Sequence, residues 1–272
     1  MIYRLLILGM GAAFCINAPV ASAAPLLYGV TAADIITIDP LDPAAVTVVG
    51  PHGFKAAPYN LTYDPARHAL LALTHDGIRN SLRRSLVQYD LTTGQSTTLA
   101  TLHNIANGAE DALEYIDSRG NLFITRARSL SPHSIEAYEM DLTGTQTPIV
   151  TLNVPDNDAA IYDSVRDILY TIDANNVGRL MQIDLTTGIG APRGPLPSAN
   201  PLEGAYSFEL DQIFIRDGAT NALYVSNADP NHINFHNRGA INAAPVLGIA
   251  FVPIIISAKI IPTPPPPALA SS

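Results

Sequence analysis

A chain of 272 residues with a formal net charge of −9 and only 14% charged residues offers little to a polyphosphate, so nucleic acid is not an expected partner. Its single cysteine, Cys15, excludes a disulfide framework and a multi-thiolate metal site, and leaves the fold to be held by burial. The length is sufficient for that, because a domain of this size buries a large core without staples.

In chain order, residues 1–23 read as a secretory signal peptide. Arg4 supplies the positive start, Leu5 to Ile16 an uncharged apolar run, and Ala21-Ser22-Ala23 the small-x-small cleavage pattern. The run is shorter than the roughly 20 residues that cross a bilayer, and Phe14 is too bulky to precede a lipoprotein cysteine. The expectation is export from a bacterium to its periplasm, surface or surroundings, with Cys15 and Arg4 lost along with the signal.

Residues 24–261 are expected to form one repeat domain. The clearest copies of the repeat are Leu86-Val-Gln-Tyr-Asp-Leu-Thr-Thr-Gly94 and Leu180-Met-Gln-Ile-Asp-Leu-Thr-Thr-Gly188, with Ala137-Tyr-Glu-Met-Asp-Leu-Thr-Gly144 between them and Ile35-Ile-Thr-Ile-Asp-Pro40 as a degenerate copy. Each is a short strand ending in Asp, followed by a turn in which Asp accepts backbone hydrogen bonds and Gly supplies positive φ. Upstream stand Leu27-Tyr-Gly-Val-Thr31, Leu70-Leu-Ala-Leu-Thr74, Leu122-Phe-Ile-Thr125, Leu169-Tyr-Thr-Ile172 and Leu223-Tyr-Val-Ser226. Four of these are preceded by a further strand, at Leu61–Asp64, Leu113–Asp117, Ala160–Asp163 and Phe208–Asp211. A fourth strand follows the turn, as at Val46–Val49, Thr97–Ala100 and Pro148–Thr151.

Four strands recurring about every 50 residues are the rhythm of a propeller blade. The expected fold class is therefore all-β, a β-propeller of four-stranded blades, with five blades counted and six left open. The first unit lacks its opening strand, and Val246 to Ile261 is the expected source, closing the ring by pairing the two ends of the chain. Ala243 to Ile261 is also of about bilayer length, but Pro245, Pro253 and Lys259 favour closing strands over an integral span; a C-terminal anchor stays open. Residues 262–272 form a Pro-rich tail, a stiff extended linker by composition.

The Leu-Tyr strand, the Ile-Asp strand and the Thr-Thr-Gly turn together resemble exported bacterial propeller repeats, the YVTN-type surface-layer repeats and the gluconolactonase or strictosidine-synthase-like blades. The resemblance covers most of residues 26–236 and concerns the blade, not an activity. With no tryptophan in the chain, WD-repeat, YWTD and Asp-box signatures are absent. Lactonase-like relatives imply a divalent cation at the channel mouth, held by carboxylate and amide oxygens.

Ligands of propellers usually sit where the innermost strands meet the channel. The candidates just before those strands are Asn60, Glu110, Asp111, Asp156, Asn157, Asp158 and Glu203. Asn60, Glu110, Asp111, Asn157, Asp158 and Glu203 are the expected metal ligands; their hard oxygens suit Ca²⁺ or another divalent cation, which could polarise a lactone carbonyl or activate water. The competing reading is that they cap loops.

Other clusters read more plainly as structure. His232 and His236 are spaced for zinc only on a helix, and their segment reads as loop or strand. Asp173-Ala-Asn175-Asn176-Val-Gly178 starts like a calcium loop but has Asp184 where the distal Glu belongs, so a hairpin turn explains it better. Arg79, Arg83 and Arg84 read as solvated charge, and Tyr28, Tyr63, Tyr115, Tyr162, Tyr170 and Tyr224 as blade packing. No G-x-S-x-G, H-E-x-x-H, G-x-G-x-x-G or phosphate loop occurs.

The expected function is a non-enzymatic binding or surface-interaction module whose partner is a protein, a glycan or a small molecule. The alternative is a divalent-metal-dependent hydrolase of the lactonase type. An electron-transfer or quinone enzyme is a weaker third reading.

Overall fold

The structure, a computed structural model, describes residues 25–54, 58–75, 84–102, 112–116, 119–130, 133–154, 159–173, 178–198 and 201–253. The expected signal peptide, its Cys15 and the Pro-rich tail lie outside them.

Leu70-Leu71-Ala72-Leu73 is apolar at every position, so a strand through it needs cover on both faces. The fold supplies that cover by standing blades side by side around an axis. Blade I joins β1 (Leu26–Val30), β2 (Asp34–Ile38) and β3 (Val46–Pro51). Blade II is β4 (Pro58–Asp64), β5 (Ala69–His75), β6 (Arg84–Tyr89) and β7 (Ser96–Leu102). Blade III is β8 (Leu113–Ile116), β9 (Asn121–Leu130), β10 (His133–Met140) and β11 (Gln146–Leu152). Blade IV is β12 (Ala160–Asp163), β13 (Ile168–Asp173), β14 (Arg179–Ile183) and β15 (Gly190–Pro195). Blade V is β16 (Pro201–Ser207), β17 (Gln212–Asp217), β18 (Ala222–Asn227) and β19 (His236–Ala240). The last strand, β20 (Gly248–Val252), returns to blade I and pairs antiparallel with β1, Leu27 opposite Phe251 and Gly29 opposite Ile249.

The result is a five-bladed propeller, each blade a four-stranded antiparallel sheet. The missing strand of blade I comes from within Val246–Ile261, as the repeat requires. The innermost strands β20, β4, β8, β12 and β16 contact one another in a closed cycle around the axis. Five apolar cores fill the five gaps between neighbouring blades. The period of two distributes each strand between two of them: Leu70 and Ala72 face blade I, while Leu71 and Leu73 face blade III. Among the described residues no helix is long and apolar enough to cross a membrane.

Blade V departs from the expected alignment. Phe208–Asp211 is the turn after β16 and not its strand, and Leu223–Ser226 lies in the third strand, β18, not the second. The cause is local. Asn227 stands where the other blades have the turn Asp, and Tyr206-Ser207 replaces Tyr63-Asp64, so the markers that set the register elsewhere are missing here.

The Asp-Leu-Thr-Thr-Gly turns clip blades together. Asp90 Oδ1 accepts the amides of Thr92 and Thr93 at 2.9 and 2.7 Å; in blades III and IV Asp141 accepts the amides of Thr143 and Thr145, and Asp184 the Thr186 amide and the Thr187 hydroxyl. Gly94, at φ +74°, then lies against Gly50 of blade I, and the Gly188 carbonyl accepts the amide of Asn153 in blade III at 2.8 Å. A Cβ on Gly94 would stand 2.5 Å from the Gly50 carbonyl oxygen. Gly94→Ala therefore combines about 1–2 kcal/mol of left-handed backbone strain with ~1–3 kcal/mol of overpacking. The expected fall in melting temperature is on the order of 4–20 °C for a chain of this size, measured by circular dichroism; an unchanged melt would mean the turn does not clip the blades.

Each outer strand also carries a register shift against the third strand at the same place, after Ile35, Leu86, Ala137, Leu180 and Leu223. A bulge there twists the exposed edge away from flat pairing, a common protection against edge-to-edge aggregation.

Candidate ligand site in the central channel

The inner strands run from a proximal rim, where they begin, to a distal rim, where they end. Of the expected metal ligands only Asn60 and Glu203, near the proximal rim, are among the described residues. Glu110, Asp111, Asn157 and Asp158, with Asp156, lie outside the described residues. Asn60 and Glu203 are described, both are buried, and the structure brings them together: the Asn60 backbone N–H donates to Glu203 Oε1 at 3.4 Å. Asn60 sits in the left-handed region at φ 54°, a conformation asparagine tolerates.

Glu203 has a second neighbour that the sequence reading did not weigh. A bulge after Pro201 sets it directly across from Arg216 on β17, and Arg216 is 2% exposed. Burial pushes the Arg216 guanidinium below its ordinary pKa, and the charges of Glu203 and Asp217 pull it back up. The Asp217 carboxylate is committed to its own turn, taking the amides of Ala219 and Thr220 at 2.9 and 2.6 Å and the hydroxyl of Ser198. The Glu203 charge thus acts on the Arg216 guanidinium, and a divalent cation on Glu203 would lie in that positive field. Among the described residues no group of three or more His, Cys, Asp or Glu is placed to hold a metal ion.

The remaining sequence candidates fall on structure. His232 bonds Asp229 across an exposed turn at 2.7 Å, and His236 opens β19. Asp173 and Arg179 face each other across the β13–β14 hairpin, 3.1 Å apart; residues 174–177 lie outside the described set. Arg84, read from sequence as solvated, is buried at the start of β6; Arg79 and Arg83 lie outside the described residues.

A cavity of about 90 Å³ opens at the other end, in the distal half of the channel. Tyr63, Tyr115, Tyr162, Tyr206 and Phe251 line it, one from each inner strand. They occupy equivalent places, because each stands opposite the second residue of the strand it pairs with: Leu70, Leu122, Leu169, Ile213 and Leu27. Three of the hydroxyls are anchored five residues on. Tyr63 bonds His68 Nδ1 at 2.6 Å, Tyr162 donates to Asp167 at 2.8 Å and Tyr206 donates to Asp211 at 3.0 Å. His68, Asp167 and Asp211 all have positive φ, 50°, 55° and 49°. Strained turn positions of this kind persist where surrounding structure fixes them, and they cluster at functional sites.

Among the described residues two carboxylates line the same cavity, Glu114 and Glu209, and no cationic side chain does. Glu114 Oε1 accepts the Thr62 hydroxyl and the Tyr115 amide, the latter at 2.9 Å, which ties blade III to blade II at the wall. Phe208, Pro65, Ser164 and Pro253 frame the opening, and Phe208 is 60% exposed.

The rim around the opening is stiff. Buried Asp64 and Asp163 each take two turn amides and an arginine, Arg67 at 2.7 Å and Arg166 at 2.9 Å. Arg166 also forks onto both oxygens of Asp211 at 2.7 Å, joining blade IV to blade V. That hydrogen bonding holds the Asp211 carboxyl below its ordinary pKa, and burial pushes the Tyr206 phenol up, so the pair stays as carboxylate and neutral donor.

The expectation from sequence is a ligand at the proximal rim, whereas the described cavity lies in the distal half of the channel. Tyr63, Tyr115 and Tyr162 were read as packing; they line the cavity as well as the blade cores, whereas Tyr28 and Tyr170 are core alone. Tyr206, Phe208, Glu209, Phe251 and Glu114 were not singled out. The available signal was the tyrosine one place before the end of the inner strand, visible in blades II and IV and hidden in blade V by the misplaced register.

No protein-family model matches the sequence, and no curated protein matches it in sequence. Solved structures do match in fold. A chain of the nidogen/laminin complex overlays with a TM-score of 0.58 at 14% identity, covering 84% of this chain and 98% of that one. TolB from Acinetobacter baumannii gives 0.50 at 14% identity, covering 80% of this chain and 53% of its own, so the present chain spans about half of TolB. The periplasmic gluconolactonase of Pseudomonas aeruginosa gives 0.46 at 13% identity, with 78% and 66% covered. At these identities the likeness is of fold alone: the chain is a β-propeller of repeated blades, with no particular member indicated.

Proposed function

We propose that this protein is an exported propeller that acts as a binding module, taking its ligand in the distal half of the central channel. The observation that supports this is the aromatic cavity to which all five inner strands contribute one ring each. Three of its rings are fixed from outside by turn residues, so binding does not have to order them, and pre-organisation of that kind favours affinity. Export rests on the signal-peptide features of residues 1–23. The fold is also found in a chain complexed with another protein, the nidogen/laminin complex, which offers a precedent for binding and none for the residues used.

A thermal-shift screen of small organic ligands, run alongside Ca²⁺, Mg²⁺ and EDTA, tests the proposal. An organic ligand at ~100-fold excess over its dissociation constant adds about 2.7 kcal/mol, a rise of roughly 5–10 °C for this chain length. Phe208→Ala, at an exposed lining position, is expected to abolish that rise and leave the unliganded melt within about 1–2 °C of the parent, since surface substitutions usually cost under ~0.5 kcal/mol. A rise given by Ca²⁺ alone and reversed by EDTA would instead favour the lactonase-type hydrolase at the proximal rim.

A further inference from the structure

The lining of the distal cavity carries a chemical signature beyond its being a pocket. Among the described residues four tyrosines and two phenylalanines, Phe208 and Phe251, surround it, Glu114 and Glu209 contribute carboxylates, and neither lysine, arginine nor histidine lines it. The nearest cations are engaged away from the lining: Arg67 with Asp64, and Arg166 with Asp163 and Asp211. His68 bonds the Tyr63 hydroxyl from the rim.

Aromatic rings present negative π-faces, and a cage of them beside a carboxylate attracts a cation that is easily stripped of water. A metal ion is a poor candidate for such a lining, because hard cations require several oxygen ligands in a shell. A bare ammonium is held by water more strongly than a methylated one, whose charge is spread over an apolar surface that suits the rings. Size narrows the choice further. The cavity of about 90 Å³ is far below the roughly 300–1,000 Å³ of sites that enclose a drug-sized ligand, so it accommodates a headgroup while the rest of the molecule extends past Phe208 into solvent.

We infer that the distal channel mouth is a site for a small organic cation, a methylated or quaternary ammonium group, held by the Tyr63, Tyr115, Tyr162, Tyr206 and Phe251 rings with Glu114 as counter-charge. The inference rests on the binding-module reading and specifies its ligand class.

The probe is choline, with its neutral isostere 3,3-dimethylbutan-1-ol as the matched control. Binding of each to the full chain is read by saturation-transfer NMR on the methyl resonance and by calorimetry. Choline is expected to bind at least ~10-fold more tightly than the neutral alcohol. Tyr206→Leu is expected to weaken choline by roughly 2- to 30-fold, the range of a cation–aromatic contact. Glu114→Gln, close in shape, should lower the preference for choline over the alcohol and leave the alcohol's own affinity unchanged. The choline-to-alcohol ratio in the unmodified chain needs no variant to fold, so it decides the matter even where a substitution destabilises. Equal affinity for the two would overturn the cation claim and leave an apolar binding cup. Binding of neither, alongside an organic hit lost in Phe208→Ala, would overturn it while the binding-module reading survives. Binding of neither with no such hit would overturn both.

Discussion

A chain ending at Leu247 is expected to lose cooperative unfolding, while one ending at Pro253 melts with the full-length protein. The two differ by β20 and the residue after it, and every residue of that strand is buried. Ile249 and Phe251 complete the core between blades V and I, and Ala250 and Val252 the core between blades I and II. Phe251 also meets Phe214 of blade V with ring centroids 4.8 Å apart. Burying a side chain the size of Ile, Phe or Val contributes about 1.5–3 kcal/mol, so three of them amount to a large share of the 5–15 kcal/mol that holds a typical domain. Removing the strand also bares the hydrogen-bonding edge of β1, an invitation to aggregate. Calorimetry gives the answer directly: a sharp transition from the Leu247 chain, within a few degrees of the parent, would mean that the ring holds without its closing strand.

That closure was legible because it follows from counting. A first blade one strand short, and an Ile- and Val-rich segment near the C-terminus, leave a single economical solution. Blade number was legible for the same reason, since the Asp-Leu-Thr-Thr-Gly turn repeats for a mechanical cause: Gly94 and Gly188 let each turn lie against the preceding blade, where a side chain would not fit. The motif that stands out most in the sequence is thus a structural clip. The bulges that bend all five outer strands leave no comparable trace, because they depend on backbone register and different residues stand at them, from Ile35 to Leu223.

The site was less legible. A ligand site on a propeller is assembled from residues about one blade apart in sequence, and none of them forms a motif with its neighbours. Tyr63 and Tyr162 are followed by Asp and fit both a packing role and a lining role; only the closed ring shows that one residue can do both. Glu114 gave no signal, because a half-buried glutamate in a short strand looks like an ordinary solvent-facing position. Glu203 gave a signal that tells only part of its surroundings. As a carboxylate ahead of an inner strand it reads as a metal ligand, and the sequence does not show that Arg216 becomes its neighbour through the β16–β17 register.

Glu203→Ala is accordingly expected to be among the most destabilising single substitutions at the channel. It leaves the Arg216 guanidinium buried beside a single remaining carboxylate that is already committed to its turn. Taking one of the two charges that act on a buried cation costs up to the roughly 3–5 kcal/mol of a broken buried pair, at this chain length a fall of as much as about 20 °C in melting temperature. Glu203→Gln keeps an oxygen for the Asn60 amide and loses only the charge, so its melt should lie between those of the parent and the alanine variant. The double variant Glu203→Leu with Arg216→Met removes both charges and should recover most of the loss, because apolar replacement of a buried pair is often neutral or stabilising. A double-mutant cycle on these melts isolates the coupling between the two residues. A coupling near zero would mean that Glu203 acts at the proximal rim independently of Arg216. If EDTA then reproduced the Glu203→Ala melt in the parent protein, the carboxylate would be holding a cation after all. Coupling of several kcal/mol with no response to EDTA would assign Glu203 to Arg216 and leave the distal cavity as the ligand site of this propeller.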